Sequence, residues 1–186
     1  MKRIQAVKKK PSYLNPALSP GRRAKDLLSR MTLKEKAAQM VCIWQQKSRA
    51  FLDERGCFDS QMARAHFRER LGLGQVGRAS DAGGGKNARD MAELTNAIQR
   101  FFMENSRLGI PVIVHEECLH GHAAKDGTSF PQPIGLAATF DPQLVQRVFE
   151  VTALEARSRG AHQAGAGSRR PMARTRTWFL AWPSRR

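Results

Sequence analysis

The stretch Ile110-Pro111-Val112-Ile113-Val114-His115-Glu116-Glu117-Cys118-Leu119-His120-Gly121-His122 decides the fold. Its first half is a continuous apolar run rich in β-branched residues, the pattern of a strand buried on both faces of a parallel sheet. Its second half switches to ionisable side chains and opens a polar loop, 115–129. Upstream, Leu73-Gly74-Gln75-Val76-Gly77 reads as a shorter buried strand ended by glycine. Between the two lies a helical segment with Asn87 as its cap, an apolar face of Met91, Leu94, Ile98 and Phe101, and a turn at Leu108-Gly109. Downstream, Asp141-Pro142 starts another helix, with Leu144, Val145, Val148, Thr152 and Glu155 along one side and Gly160 as its terminating glycine. Strand, helix, strand, loop, helix is βαβ grammar and predicts an α/β fold with a parallel sheet. In such folds the chemistry collects at the C-terminal ends of strands, which is where 115–122 fall.

The segment before the first strand is helical by its signals. Ser19-Pro20 reads as an N-cap and first helical position, followed by Ala24, Leu27, Leu28 and Met31 on one side. Thr32-Leu33-Lys34-Glu35 has the form of a capping box. The helix it opens is predicted to bury Leu33, Ala37, Met40, Val41 and Trp44, with Cys42 as inert core on its buried side. A charged helix is expected over Ser60 to Leu71, and Asp81 to Lys86 is a glycine-rich loop.

Length and composition narrow the class. At 186 residues the chain is one domain or part of a larger one, and 41% hydrophobic with 26% charged residues is globular material. No stretch approaches the apolar length of a membrane-spanning helix. Three cysteines, Cys42, Cys57 and Cys118, are too few for a disulfide scaffold. The net charge of +16 is concentrated at the ends. Residues 1–10 and 164–186 carry 11 of the 32 basic residues and no acid, while 11–163 sets 21 basic residues against all 16 acidic ones. Basic ends of this kind bind polyanions without specificity, so a basic, non-enzymatic polyanion-binding protein stands as the rival reading, and no specific nucleic-acid partner is expected. Lys8-Lys9-Lys10 interrupts the place of a secretion signal's apolar core, and the default expectation is a cytoplasmic product.

Three readings of 115–122 stay open on the residues alone. Carboxylates there suit a carbohydrate or other polar ligand by accepting hydroxyl hydrogen bonds. A metal site would use His115, His120 and His122, although His115 and His120 are five apart and miss the i, i+4 spacing of H-E-x-x-H. A structural role, with carboxylates and imidazoles paired to neighbouring strand ends, is the third. Cys118 is a weak nucleophile candidate. Gly83-Gly84-Gly85-Lys86 lacks the order of a phosphate-binding P-loop and reads as a flexible loop.

Several motifs together resemble glycoside hydrolase family 3. Arg30-Met31-Thr32-Leu33-Lys34-Glu35-Lys36-Ala37-Ala38-Gln39-Met40 is similar to the family's opening segment, and Leu108 to Gly121 to its second-strand motif. Thr128-Ser129-Phe130-Pro131-Gln132, Leu136 to Asp141, and Glu155-Ala156-Arg157 with Gly160 continue the likeness, which covers about 13–163. The resemblance implies a partial TIM-like (β/α) barrel, an N-terminal fragment with about two barrel strands and their helices; in the family an α/β sandwich usually follows the barrel. It implies a retaining β-glucosidase or β-xylosidase parent, with an Asp nucleophile, a separate acid/base carboxylate and no metal or organic cofactor. Its substrate would be a sugar or oligosaccharide with terminal β-linked glucose or xylose. The same resemblance makes Glu117 the carboxylate that binds the hydroxyls of the sugar at the cleavage point, with His120 supporting that loop. It identifies no catalytic residue in this chain and implies that the isolated polypeptide is inactive and poorly folded.

The likeness stops after Gln163. The chain thus divides into a basic extension, 1–12, the family-like part, 13–163, and an Arg-rich tail, 164–186. The tail has no acid, valine or isoleucine and reads as translation in a wrong frame. Degenerate codons for Ala164 to Thr177 can be chosen so that a frame starting two nucleotides later gives W-G-R-V-E-E-T, similar to the family's text after its third strand.

Overall fold

A computed structural model describes residues 11–164 of the protein, and the basic extension up to Lys10 and the tail beyond Ala164 lie outside the described residues. Two compact units separate at Lys36 and Ala37.

In the first unit, a short 3-10 turn, Ser12–Leu14, is tied to helix α1, Pro20–Arg30. Asp26 is the tie: its carboxylate accepts the Tyr13 N–H at 2.9 Å and the Arg30 guanidinium at 3.0 Å. The Arg30 hydrogen bond, then that of the Tyr13 amide, holds the Asp26 carboxyl below the usual carboxylate range. Arg23 Nε donates to Tyr13 O at 2.9 Å. The capping box forms as the spacing requires, with Glu35 N–H donating to Thr32 Oγ1 at 3.2 Å and Thr32 N–H to Glu35 Oε2 at 2.8 Å.

The helix that this box opens, α2, is Leu33–Ala38, shorter than its apolar spacing predicts. After Ala38 the backbone leaves the helix and turns to sheet pairing. Gly74 N–H donates to Ala38 O at 3.0 Å and Gln75 N–H to Val41 O at 3.0 Å. Cys42–Ile43 is therefore strand β1 and not the end of a helix. Leu33, Met40, Val41 and Trp44 are correspondingly exposed, at 84, 85, 51 and 46%, where a buried stripe was predicted. Cys42 is exposed as well, which corrects its reading as inert core.

The second unit is built on four parallel strands in the order β1-β2-β3-β4. Strand β2 is Gln75–Gly77, β3 is Ile113–Glu117 and β4 is His162–Ala164. Two strands were legible in advance, and β1 and β4 are additional to them. The connections run through α3 (Lys47–Phe51) and α4 (Ser60–His66), then α5 (Ala88–Asn105), then α6 (Pro133–Ala137) and α7 (Pro142–Ser158). This is the start of a (β/α) barrel: β1, β2 and β3 are each followed by a helical crossover, and chain order equals spatial order.

The core lies between the sheet and α5. Ile43, Val76 and Val114 belong to one buried cluster with Met91, Leu94, Ile98 and Phe102. The predicted face of α5 is buried as expected, and Asn87 caps it by accepting the Asp90 N–H at 2.9 Å. Phe51 packs against Phe67 at 5.5 Å and edge-on against Phe102 at 6.2 Å, which fixes α3, α4 and α5 together. Aromatic pairs of this kind contribute about 0.5–1.5 kcal/mol beyond their area burial. On α7, Asp141 accepts the amides of Gln143 and Leu144, both at 2.9 Å, and Gly160 closes the helix at φ +80°.

Strand β3 is shifted relative to its sequence reading. The apolar run 110–114 was expected to be the strand, with the polar cluster in the loop. Instead the ladder begins at Ile113 and includes His115, Glu116 and Glu117. The reason is Gln99 of α5, whose amide takes both backbone groups of Val112: Val112 N–H donates to Oε1 at 2.9 Å and Nε2 donates to Val112 O at 2.5 Å. Val112 is thereby held by a helix, and pairing with β2 starts one residue later, at Gln75↔Ile113.

Candidate functional site

Because β3 is a strand through Glu117, its two adjacent glutamates face opposite sides. Glu116 shares a face with Val114, and both are 0% exposed. Glu117 shares the other face with His115 and Ile113, which are half-buried and 46% exposed respectively.

Glu116 is fully engaged. Ser80 N–H donates to its Oε1 at 2.9 Å and Ser80 O–H to its Oε2 at 2.5 Å. His122, also buried, brings Nε2 within 3.4 Å of Oε2, an ion-pair distance without hydrogen-bond alignment. Neither ring nitrogen of His122 makes a hydrogen bond within the described residues. Ser80 belongs to the kinked 3-10 segment Ala79–Gly84 that follows β2. Next to it, Asp81 receives Lys47 Nζ at 2.5 Å and Arg78 Nε at 3.3 Å. The glycine-rich loop is thus a folded bridge between strand ends. Its Lys86 donates to Gly56 O at 2.7 Å, so that ammonium is bound to the chain itself and not poised for a phosphate.

Glu117 sits at the C-terminal end of β3, half-buried. Its side chain makes no hydrogen bond among the described residues, while its carbonyl accepts the Ala123 N–H at 3.1 Å. His120 is three residues on, in a loop of close backbone packing. Gly121 has φ +103°, and a Cβ there would lie 2.0 Å from Thr128 O, so only glycine fits. Helix α7 pins the same loop from outside. Glu155 accepts Thr128 N–H at 3.0 Å and Thr128 O–H at 2.5 Å, and Arg159 donates to Lys125 O at 2.8 Å and Asp126 O at 3.1 Å. Burial pushes the Glu155 carboxyl up, but the two Thr128 hydrogen bonds, with Arg159 and His122 nearby, outweigh it and hold the group below its usual value.

A cavity of about 390 Å³ opens beside this loop, lined by Ser80, Asp81, His120, His122, Lys125 and Ser129 among others. The structure brings His120 to it but not Glu117. A second cavity, of about 370 Å³, lies away from the C-terminal strand ends, where Arg64, Arg68 and Arg70 surround Phe67. His115, His120 and His122 do not converge, and no group of three metal-ligating side chains forms among the described residues. Ser80, Glu155 and Arg159 are the site residues that sequence reasoning missed as partners. Glu155 was placed along one side of its helix with Val148 and Thr152, but nothing local to it indicates Thr128.

A parallel α/β sheet in sequential strand order, with ionisable residues at the C-terminal ends of its strands, defines the segment as part of a (β/α) barrel. The family model described as "Glycosyl hydrolase family 3 N terminal domain" matches residues 32–166, and the chain belongs to that family. Beta-glucosidase C of Emericella nidulans is 35% identical over 152 residues, covering 76% of this chain and 23% of the relative. The xylan 1,4-beta-xylosidase of Xylanibacter ruminicola is 30% identical over 152 residues, with 81% and 11% covered. A solved structure of a β-glucosidase from Erythrobacter marinus superposes with a TM-score of 0.65 at 40% identity, over 82% of this chain and 19% of that one. A β-glucosidase from Listeria innocua, solved in complex with laminaribiose, does so with a TM-score of 0.53 at 26% identity, over 78% and 18%. The chain spans a quarter or less of the length of these proteins. Among the described residues, no helix is long and apolar enough to cross a membrane.

Proposed function

We propose that this chain supplies part of the sugar-recognition wall of a retaining β-glycosidase that hydrolyses terminal β-linked glucose or xylose. Glu117 accepts hydrogen bonds from the hydroxyls of the sugar at the cleavage point, and His120 supports the loop beside it. The observation that carries this reading is the opposite fate of two neighbouring glutamates. Glu116 is buried and taken by Ser80, whereas Glu117 ends a parallel strand with its carboxylate unengaged among the described residues. A carboxylate with both oxygens free matches a pair of adjacent hydroxyls in geometry and in hydrogen-bond sign. The relatives carry β-glucosidase and β-xylosidase names, and one bound laminaribiose, which fits a glucose- or xylose-sized ligand. Glycoside hydrolysis of this kind runs on two carboxylates, a nucleophile and an acid/base. Neither is assigned to this chain, so by itself it binds and does not cleave.

Saturation-transfer NMR of the 186-residue chain with methyl β-glucoside and methyl β-xyloside tests the assignment. Glu117→Gln is expected to weaken binding roughly tenfold or more, the loss of hydrogen bonds to a charged acceptor. An unchanged signal in that variant would sink the role given to Glu117.

A further inference from the structure

The three cysteines are in different environments. Cys118 is buried, and Cys42 and Cys57 are exposed. Only one of the exposed thiols has a base beside it. Cys42 Sγ lies 3.6 Å from Nε2 of His115, within hydrogen-bonding reach for sulfur. The Cys57 thiol makes no hydrogen bond among the described residues.

The pair is built from three strands. Cys42 belongs to β1 and His115 to β3, and they meet over β2 at Gly77. A Cβ on Gly77 would stand 3.2 Å from His115 Cε1 and 3.5 Å from Cys42 Sγ. The missing side chain at Gly77 is therefore what leaves room for the thiol and the imidazole to touch. No third His, Cys, Asp or Glu completes a metal site around them among the described residues.

We propose that Cys42 is a nucleophilic modification site with His115 as its base, and that its reagents are low-molecular-weight disulfides. In the step, His115 Nε2 takes the thiol proton and the sulfur attacks one sulfur of the disulfide. A protein mixed disulfide forms as the reagent's S–S bond breaks, and the departing thiolate recovers the proton from the imidazolium. Cys42 is oxidised and the reagent's other half leaves as a free thiol, so atoms and electrons balance. The proposal does not use Glu117 or His120 and stands apart from the sugar-binding reading.

The test is exposure of the full 186-residue chain to oxidised glutathione, and in parallel to iodoacetamide, with each cysteine followed by peptide mass spectrometry. Cys42 is expected to react roughly tenfold faster than Cys57, as a thiol beside a general base should. His115→Gln is expected to bring Cys42 down to the rate of Cys57. Gly77→Ala, which crowds the pair, is expected to slow Cys42 with Cys57 unchanged. Cys118 is expected to stay unmodified without denaturant, which reports that the sheet is formed in each variant. Equal rates at Cys42 and Cys57 in the natural chain would overturn the proposal, whether or not Cys118 is protected. So would an undiminished Cys42 rate in His115→Gln.

Discussion

Glu116 shows what a single side chain contributes when strand alternation buries it. It is 0% exposed, and Ser80 supplies donors to both of its oxygens. Removing the hydroxyl leaves a buried acceptor short of a donor, at a cost of about 1–3 kcal/mol. Ser80→Ala is therefore expected to lower the unfolding free energy from urea titration by that amount, whereas Glu117→Gln, at a half-buried position without a partner, should leave it within about 0.5 kcal/mol. Equal destabilisation by the two would contradict the division of labour between the glutamates. At this scale the sequence was legible where the partner is local. The Thr32–Glu35 box and the Asn87 and Asp141 caps formed as their spacing dictates. It was not legible for Ser80 or for Cys42, whose partners are 36 and 73 residues away. No periodicity encodes such pairs, because they arise when separate strands come into register.

Helix α7 is the element that holds the loop carrying His120. Val148, Thr152 and Ala156 bury one face of it, and Glu155 and Arg159 reach from that side to the loop backbone. The Glu155 carboxyl is held below its ordinary value of 4.5, so folding favours its charged form. The resulting stabilisation is present above that value and is lost as pH falls through the lower, folded one. In an NMR titration, the Thr128 amide resonance is expected to shift with a midpoint below 4.5, and Glu155→Gln should abolish that shift. A midpoint above 4.5 would mean that burial and not Thr128 dominates. Element types were read well from pattern where helices were long, as for α5 and α7. They were misread where tertiary pairing competed with a helical period. Leu33 to Trp44 has the spacing of an amphipathic helix, yet β2 takes the backbone of Ala38 and Val41. Likewise β3 slid toward its polar end because Gln99 had already claimed Val112. Short segments such as α3, α6 and β4 carry too few residues to show any period.

For the whole chain, the parallel sheet was legible because helix and strand patterns alternate along the sequence, and its barrel-like winding was implied by the family resemblance. What the pattern could not give is how much of an enzyme this is, which the comparisons show as a quarter or less of its relatives' length. The outer edges of β1 and β4 are unpaired among the described residues, and Met40, Ile134, Phe140 and Leu154 are 68–92% exposed. Apolar surface of that extent favours association over a quiet monomer. Purified as it stands, the chain is expected to release no nitrophenol from aryl β-glucosides or β-xylosides above the buffer rate; measurable turnover would show that it carries its own catalytic carboxylates. Reading the gene beyond codon 163 in all three frames is expected to recover W-G-R-x-E-E-T in another frame, and its absence would make residues 164–186 genuine in-frame sequence. The strand order has a consequence for synthesis. Since each strand lies beside the one made just before it, a chain leaving the ribosome always finds its neighbour already emerged, and every sheet contact closes within one crossover. The sheet can therefore grow at the pace of translation, one strand at a time, with only its newest edge exposed to the exit tunnel and its oldest edge, β1, left waiting throughout.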